Sequence, residues 1–255
     1  MLEEKCLQLT GQTKLSGRMN YDVSKFSLEG YVVVKNFLTK EEHRELNHTC
    51  NTLTEEARHI SAQSQDNWLM NSPHNPCKLE GAMGCVEEFK KLGRHKRLVS
   101  IAQRILRTTS LSTYISKFFP MIPKVGFSVD WHQDNFYIEA NPTKLISCDV
   151  FVNGARKENG CLRIVPRSHT KGIFRHDATS HGVFNWIKLN PKVDIIDIEL
   201  DEPFAVFFHP NLIHGCYKNT SRDYRYSVAW EYMKWPYLPP KHNDHISNDL
   251  IHIGD

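Results

Sequence analysis

Two histidines and one aspartate in this chain have the residue types and spacing of ligands that bind one face of a metal ion. One residue separates His132 from Asp134, and His214 lies far downstream. Two imidazoles and one carboxylate can hold a ferrous ion and leave coordination positions open for reactants. Arg225 follows His214 by eleven residues, and a guanidinium can grip a carboxylate through two parallel hydrogen bonds. The set predicts iron-dependent oxygen activation with a dicarboxylate co-substrate.

Two other pairs in the chain copy the spacing of His132 and Asp134. His242 and Asp244 lie in a proline-rich tail, and no arginine follows them. His43 and Glu45 lie on a predicted helix, where residues two apart point in different directions. His132 and Asp134 are predicted to lie at a strand end, where such residues share one face and can converge on an ion.

The third ligand has one competitor. His209 precedes His214 by five residues and is also close to the predicted strand that contains Phe207 and Phe208. We favour His214 because Gly215 permits a close approach of the backbone and because an arginine follows at a suitable distance.

The co-substrate anchor also has a competitor, Arg222, which lies in a predicted turn. Arg225 lies in a predicted strand, so that its side chain and that of Ser227 face the same way. The serine hydroxyl could add a third hydrogen bond to a bound carboxylate. We therefore predict that Arg225 and Ser227 hold the co-substrate.

The elements that position these residues can be predicted from local patterns. Thr39 and Glu42 form a capping-box pattern that should begin a helix running toward Arg58. Apolar residues recur at helical spacing between Arg94 and Arg107. Downstream, short β-branched and aromatic runs predict strands, at Ser112–Phe118, Leu145–Val152, Leu162–Val165, Val193–Leu200, Phe204–Phe208 and Tyr224–Met233. The pattern predicts a mainly β fold with flanking helices around a jelly-roll core.

Three segments without clear periodicity are predicted to be loops over the open face of this core, where specificity residues usually lie. They are residues 61–88, 135–143 and 175–190. Their aromatic residues Trp68, Phe136, Tyr137 and Trp186 are candidates for substrate binding. Together with the polar residues Asn71, Arg175, His176 and His181 of the same segments, they suit a small molecule with polar ends and an apolar stem.

The composition limits the class of protein. With 255 residues, the chain is predicted to form a single domain, with residues 1–20 disordered and residues 236–255 as an extended tail. The net charge of +3 is small and the basic residues are scattered, which disfavours nucleic acid as a partner. Seven cysteines without a C-x-x-C pair favour a reducing compartment. Since neither a leader pattern nor a long apolar run is present, we expect a cytoplasmic protein without membrane contact.

The chain resembles the phytanoyl-CoA dioxygenase family of Fe(II)- and 2-oxoglutarate-dependent oxygenases. Three blocks in the same order carry the resemblance: residues 131–134, residues 158–169, and His214-Gly215 with Arg225. The segment from Phe26 to Val34 and its following helix also fit. The resemblance implies a cupin-like double-stranded β-helix and extends over most of the chain.

The resemblance also implies roles for individual residues. His132, Asp134 and His214 would bind iron, Arg225 would anchor 2-oxoglutarate, and His169 would have a structural role in a turn. Lys117 is the nearest candidate for a further 2-oxoglutarate contact. Where a family member can place tryptophan against the co-substrate, this chain has Asp149 or Val150, so that part of the pocket is expected to differ.

The implied reaction uses O2 and 2-oxoglutarate to oxidise an unactivated C–H bond of a small-molecule metabolite, and it releases succinate and CO2. Hydroxylation is the default outcome; desaturation and oxidative cyclisation use the same residues. Two alternatives from other classes remain open: a zinc-dependent cupin-like hydrolase and a noncatalytic small-molecule binder. Neither the substrate nor the oligomeric state follows from the sequence.

Overall fold

A computed structural model describes residues 24–60, 67–178, 186–241 and 249–254 of the chain. The helices are α1 (Ser24–Glu29), α2 (Lys40–Arg58), α3 (Ala82–Cys85), α4 (Glu87–Gly93), α5 (Lys96–Leu106) and α6 (Asp134–Ile138). The strands are β1 (Tyr31–Lys35), β2 (Trp68–Ser72), β3 (Asn75–Glu80), β4 (Leu111–Met121), β5 (Val129–His132), β6 (Leu145–Phe151), β7 (Leu162–Ile164), β8 (Ile196–Ile198), β9 (Phe204–Phe208), β10 (His214–Cys216), β11 (Arg225–Lys234) and β12 (His252–Ile253).

The strands form two antiparallel sheets that pack face to face. The larger sheet has the order β1-β9-β6-β11-β4-β3-β2, with β12 also paired to β4, and the smaller one has the order β5-β10-β7-β8. Apolar side chains of β6 and β9 pack against those of β7 and β8 in one buried cluster. The fold is therefore the expected mainly β jelly roll, and each of the six predicted strand segments overlaps an observed strand.

Strand β9 shows how the sequence separates the two faces of the larger sheet. Phe204, Val206 and Phe208 pack between the sheets, whereas Ala205 and Phe207 belong to the cluster on the helical side. Because successive side chains of a strand point to opposite faces, an entirely apolar run fits a strand that is buried on both sides. Helices α1 to α5 thus cover the outer face of the larger sheet.

Helix α2 begins as its sequence predicts. The Thr39 side chain accepts a hydrogen bond from the Glu42 backbone N–H over 3.2 Å, and the Thr39 N–H donates to the Glu42 carboxylate over 2.7 Å. This capping box satisfies backbone donors at the first turn that have no partner inside the helix. The helix from Arg94 to Arg107 is confirmed as α5, which begins two residues later and ends one residue earlier.

Two predictions about irregular segments are wrong. Residues 67–88 contain a hairpin of β2 and β3 and then α3 and the start of α4; pairing of β3 with β4 outweighs the weak strand propensity of Asn75 and Pro76. Residues 249–253 do not form a surface tail. Ile251 is buried, β12 pairs with β4, and Asp249 accepts hydrogen bonds from the backbone and hydroxyl of Ser116.

The predicted disorder of residues 1–20 and the pair His242 and Asp244 fall outside the described residues. Within the described ranges, none of the helices combines the length and the apolar character needed to cross a membrane.

Candidate functional site

His132, Asp134 and His214 come together where the smaller sheet meets a short helix. His132 is the last residue of β5, Asp134 is the first residue of α6, and His214 is the first residue of β10. Strands β5 and β10 are neighbours, with His132 directly opposite His214. Asp134 thus lies two residues beyond the end of the strand on which it was expected, and the turn into α6 brings its carboxylate beside both imidazoles.

Each imidazole presents the same nitrogen to the aspartate. His132 Nδ1 donates to the Asp130 carbonyl over 2.8 Å, and His214 Nδ1 donates to the Leu212 carbonyl over 2.9 Å. Both Nε2 atoms lie 3.6 Å from Asp134 Oδ1. A backbone acceptor at Nδ1 fixes the proton there and leaves the Nε2 lone pair available for a metal ion.

The three ligand atoms fit a single metal ion. They all lie within 4.8 Å of one another and belong to buried or nearly buried side chains. Since metal–nitrogen and metal–oxygen bonds are roughly 2.0–2.2 Å long, one ion between these atoms could contact all three. A 2-His-1-carboxylate set with open positions is typical of non-haem Fe(II) oxygenases.

Charge interactions keep this site in its metal-binding protonation state. Burial acts to raise the pKa of Asp134, but the neighbouring imidazoles of His214 and His132 and the ammonium of Lys117 lower it well below the ordinary value. Burial, aided by His132, lowers the pKa of His214 to about 4. A carboxylate anion and a neutral imidazole are the forms that bind metal.

Residues between and beside the ligands hold the site in place. Gln133 is fully buried, and its amide donates to the Gly172 carbonyl over 2.8 Å and to the Asn211 carbonyl over 2.6 Å. Asn135 donates to the Asn211 side chain over 2.9 Å. These bonds connect the β5–α6 turn to the segment that leads to His214. The same hydrogen bonds therefore position ligands from two distant parts of the chain.

A cavity of about 300 Å³ opens between the two sheets at the ligand cluster. Strand β11 supplies alternate residues to its wall: Arg225, Ser227, Ala229 and Glu231. The residues between them face the helices, so the predicted common orientation of Arg225 and Ser227 is correct for this strand. The sheet therefore places an arginine and three metal ligands in the same enclosed space.

Arg225 is a buried cation whose hydrogen bonds are incomplete. It is 3% exposed, and within the described part of the chain its Nε has no hydrogen-bond partner. Its Nη1 donates to the Ser227 hydroxyl, and its guanidinium carbon lies 5.3 Å from the centre of the Phe151 ring. Because arginine does not lose its proton in proteins, this charge needs an anion, and a carboxylate of 2-oxoglutarate fits it.

Two further charged residues line the cavity near Arg225. The pKa of Lys117 is raised: burial alone lowers it, but the carboxylates of Glu231 and Asp134 outweigh that effect. Burial and the charge of Asp134 raise the pKa of Asp149 to about 7. Lys117 lies on β4 opposite Ala229 of β11, so these two neighbouring strands both contribute charged residues to the cavity wall.

The four aromatic candidates for substrate binding occupy different places. Tyr137 lines the cavity, and its ring centre lies 6.3 Å from that of His132. Phe136 stacks on His176 with ring centres 3.9 Å apart. Trp68 is buried against Phe118, and Trp186 pairs through its backbone with Asp177. Tyr137 is the member of this group that the cavity wall includes.

The competing residues lie elsewhere. His209 contacts His169 with ring centres 5.0 Å apart, and its Nδ1 accepts a hydrogen bond from the Asn211 backbone over 3.0 Å. Arg222 is exposed, and His43 and Glu45 lie on α2.

Sequence reasoning missed Ser147, Gln133 and Glu231. Ser147 and Glu231 are directly opposite each other on β6 and β11, and the Ser147 hydroxyl bonds to Asp134. The signal of Ser147 and Glu231 in the sequence is weak, because each is a polar residue at an inward position of a strand that also contains other polar residues. Gln133 could have been found as the amide between two ligands.

Comparison with known proteins identifies similar families and folds. The profile of the phytanoyl-CoA dioxygenase family matches residues 26–227. The peroxisomal phytanoyl-CoA dioxygenase of Rattus norvegicus is 25% identical over 138 residues, which are 49% of this chain and 40% of that protein. Phytanoyl-CoA dioxygenase 1 of Oryza sativa subsp. japonica is 22% identical, over 80% of this chain and 85% of its own length. The first curated relatives, from rat, cattle and mouse, are matched over 31–40% of their lengths.

Solved structures share the fold. The non-heme monooxygenase ThoJ superposes with a TM-score of 0.73 at 18% identity, over 92% of this chain and 84% of that one. EctD from S. alaskensis, solved with 2-oxoglutarate and 5-hydroxyectoine, gives a TM-score of 0.67 at 16% identity, over 83% of this chain and 74% of that one.

Proposed function

Because this chain belongs to the phytanoyl-CoA dioxygenase family, we propose that it is an Fe(II)- and 2-oxoglutarate-dependent oxygenase that hydroxylates a C–H bond of a small molecule. One observation supports this most strongly: the incompletely paired guanidinium of Arg225 shares one cavity with His132, Asp134 and His214. A hydrolytic zinc site would have no use for that buried cation. A 2-oxoglutarate oxygenase needs it to hold the far carboxylate of the co-substrate.

The residues have separate tasks in this proposal. His132, Asp134 and His214 hold iron through two nitrogens and one oxygen, which leaves the remaining coordination positions for reactants. When iron is bound there, it supplies oxygen activation coupled to the oxidative decarboxylation of 2-oxoglutarate to succinate and CO2. Arg225 and Ser227 orient the co-substrate from the floor of the cavity.

The protein also controls access of water to the reaction. Tyr137 and Ile138 of α6, together with Phe208 and Leu162, provide apolar wall around the ligands. Such walls exclude water and hold reactants close together, which is how a protein contributes to a reaction whose bond chemistry belongs to the cofactor. The cavity volume of about 300 Å³ is at the lower end for ligand sites, so the reacting part of the substrate is small.

The test is the anaerobic addition of Fe(II) and then 2-oxoglutarate to the protein. The chelate should produce a visible charge-transfer band in the wild type, no band in Asp134→Ala and a band that requires more 2-oxoglutarate in Arg225→Gln. Arg222→Gln is the matched control because its side chain is exposed, and it should behave as the wild type.

Two outcomes would favour the alternatives. Wild-type protein with measured iron and 2-oxoglutarate occupancy but no band would contradict the oxygenase proposal. A normal band with no 2-oxoglutarate turnover across a broad metabolite panel would favour a noncatalytic binder.

We also propose a cytosolic location. The described cysteines are free thiols: Cys50, Cys77, Cys85, Cys148, Cys161 and Cys216. Free thiols suit a reducing compartment. Several relatives are named as peroxisomal, so imaging of the tagged full-length protein should separate a diffuse cytosolic signal from a punctate peroxisomal one.

A further inference from the structure

Glu231 is an acidic side chain in the cavity wall that neither iron binding nor 2-oxoglutarate binding uses. It is 2% exposed, and its Oε2 is buried without a hydrogen-bond partner among the described residues. Burying a carboxylate without a partner is costly. A buried polar group without a partner in a native protein needs an explanation, of which a functional role is one, and Glu231 faces the cavity that would hold a ligand.

Neighbouring cations do not supply that partner. Lys117 lies in the same wall, but within the described ranges it makes neither an ion pair nor a hydrogen bond with Glu231. Lys78 pairs with Glu80 over 2.7 Å. Burial raises the pKa of Glu231 well above its ordinary value; the charge of Lys117 opposes this effect, and the carboxylates of Asp134, Asp149 and Asp249 add to it. A ligand cation beside Glu231 would favour its anionic form, whereas a ligand anion would not.

The register of the sheet places Glu231 close to the metal ligands. Glu231 on β11 is directly opposite Ser147 on β6, and the Ser147 hydroxyl bonds to Asp134 over 2.8 Å. Directly opposite residues of antiparallel strands share one face, with Cβ atoms about 4.5–5.5 Å apart. A group held by Glu231 is thus near the iron site. Along β11, Ser227 and Ala229 lie between Glu231 and Arg225.

We propose that the primary substrate carries a protonated amine and that Glu231 binds this amine as a specificity residue. This inference rests on the proposed oxygenase function. The amine lies against Glu231 while a carbon a few bonds away faces the iron site. One atom of O2 enters that C–H bond as a hydroxyl, the other enters succinate, and 2-oxoglutarate loses CO2, so the amine nitrogen keeps its bonds.

The experiment uses three probes that share one stem: pentylamine, 1-pentanol and pentanoate. Calorimetric titration of the full chain loaded with Mn(II) and 2-oxoglutarate measures binding without oxygen chemistry. The wild type should bind pentylamine at least tenfold more tightly than 1-pentanol, and pentanoate most weakly. Glu231→Gln should reduce the preference for the amine to about twofold or less while 2-oxoglutarate affinity stays unchanged.

Glu80→Gln is the matched control. Glu80 lines the same cavity, but its carboxylate already pairs with Lys78 and its side chain is 56% exposed. This variant should keep the tenfold preference for the amine.

Several results would overturn the inference. The first is that the wild type binds the amine no more tightly than the alcohol; this measurement does not depend on the folding of any variant. The second is that the preference for the amine persists in a Glu231→Gln protein with a normal unfolding temperature. If the wild type binds 2-oxoglutarate but shows no amine preference, this inference alone fails. If it does not bind 2-oxoglutarate, the proposed function fails and the inference with it.

Discussion

Ser147 Oγ donates a hydrogen bond to Asp134 Oδ2 over 2.8 Å, and this bond leaves Asp134 Oδ1 facing both His132 and His214. The serine comes from the larger sheet, whereas both histidines belong to the smaller one. A single hydrogen bond between β6 and α6 thus fixes which carboxylate oxygen faces the metal site.

Replacing Ser147 with alanine should weaken Fe(II) binding by about tenfold, since loss of such an orienting bond typically costs 10–100-fold in metal affinity. Anaerobic metal titration would measure the change. Ser112→Ala is the control, because Ser112 is also buried on a strand but its hydroxyl has no hydrogen-bond partner in the described part of the chain. Equal affinities for the wild type and Ser147→Ala would show that the bond does not orient the ligand.

Arg225→Lys should weaken 2-oxoglutarate binding on the order of tenfold or more, although the positive charge remains. Lysine cannot reproduce the two parallel hydrogen bonds of a guanidinium, and each hydrogen bond to a charged group contributes roughly 1.5–3 kcal/mol. Titration of 2-oxoglutarate into Mn(II)-loaded protein measures the effect. Arg222→Lys is the control because Arg222 is exposed, and its affinity for 2-oxoglutarate should equal that of the wild type. Unchanged affinity in Arg225→Lys would mean that the arginine acts only as a point charge.

Gly215→Ala should push apart β5 and β10, the strands that contain His132 and His214. A Cβ atom at this position would lie 2.7 Å from the Val129 carbonyl oxygen, which is backbone of β5 and cannot rotate away. We expect a lower unfolding temperature and at least tenfold weaker metal binding, because His214 moves with β10.

Gly81→Ala is the matched control for that variant. A Cβ atom there would lie 3.9 Å from the Asn67 side chain and 4.0 Å from that of Asp249, which are ordinary contacts. Gly81 has a left-handed backbone with φ 65° and ψ 30°, so the variant should lose only about 1–2 kcal/mol and keep its metal affinity. A Gly215→Ala protein with normal metal affinity would contradict the close-packing argument.

His209 should make the folded protein sensitive to acid. Burial, with a smaller contribution from His169, lowers the pKa of His209 to about 4, whereas the unfolded value is about 6.5. The folded state therefore binds fewer protons than the unfolded state, and stability falls as the pH drops from about 6.5 toward 4.

His209→Asn removes this titration but keeps a side-chain acceptor for the Asn211 N–H. Between pH 6.5 and 4, the free energy of unfolding of His209→Asn should decline less than that of the wild type. The two declines should differ by on the order of 2 kcal/mol. Urea denaturation across this range provides the measurement, with the exposed His48→Asn as control. Parallel declines for the wild type and His209→Asn would exclude His209 as the cause.

The sequence by itself determined the local features of this protein. These features include the capping box at Thr39, the apolar run of β9 and the pattern of His132, Asp134, His214 and Arg225. They depend on residues that are close in sequence or on a recognisable family motif. These features predicted the jelly roll and the identity of the candidate ligands, because strand periodicity and ligand chemistry both depend directly on residue type.

Only the tertiary structure decided which distant side chains meet. The pairing of Ser147 with Asp134, the position of Glu231 opposite Ser147 and the burial of Asp249 against β4 depend on strand register and on contacts between sheets. A shift of one residue in the register of β6 or β11 would turn Ser147 or Glu231 to the opposite face of the sheet. For the same reason, the β2–β3 hairpin could not be predicted: pairing with β4 stabilises a segment whose own residues do not favour a strand.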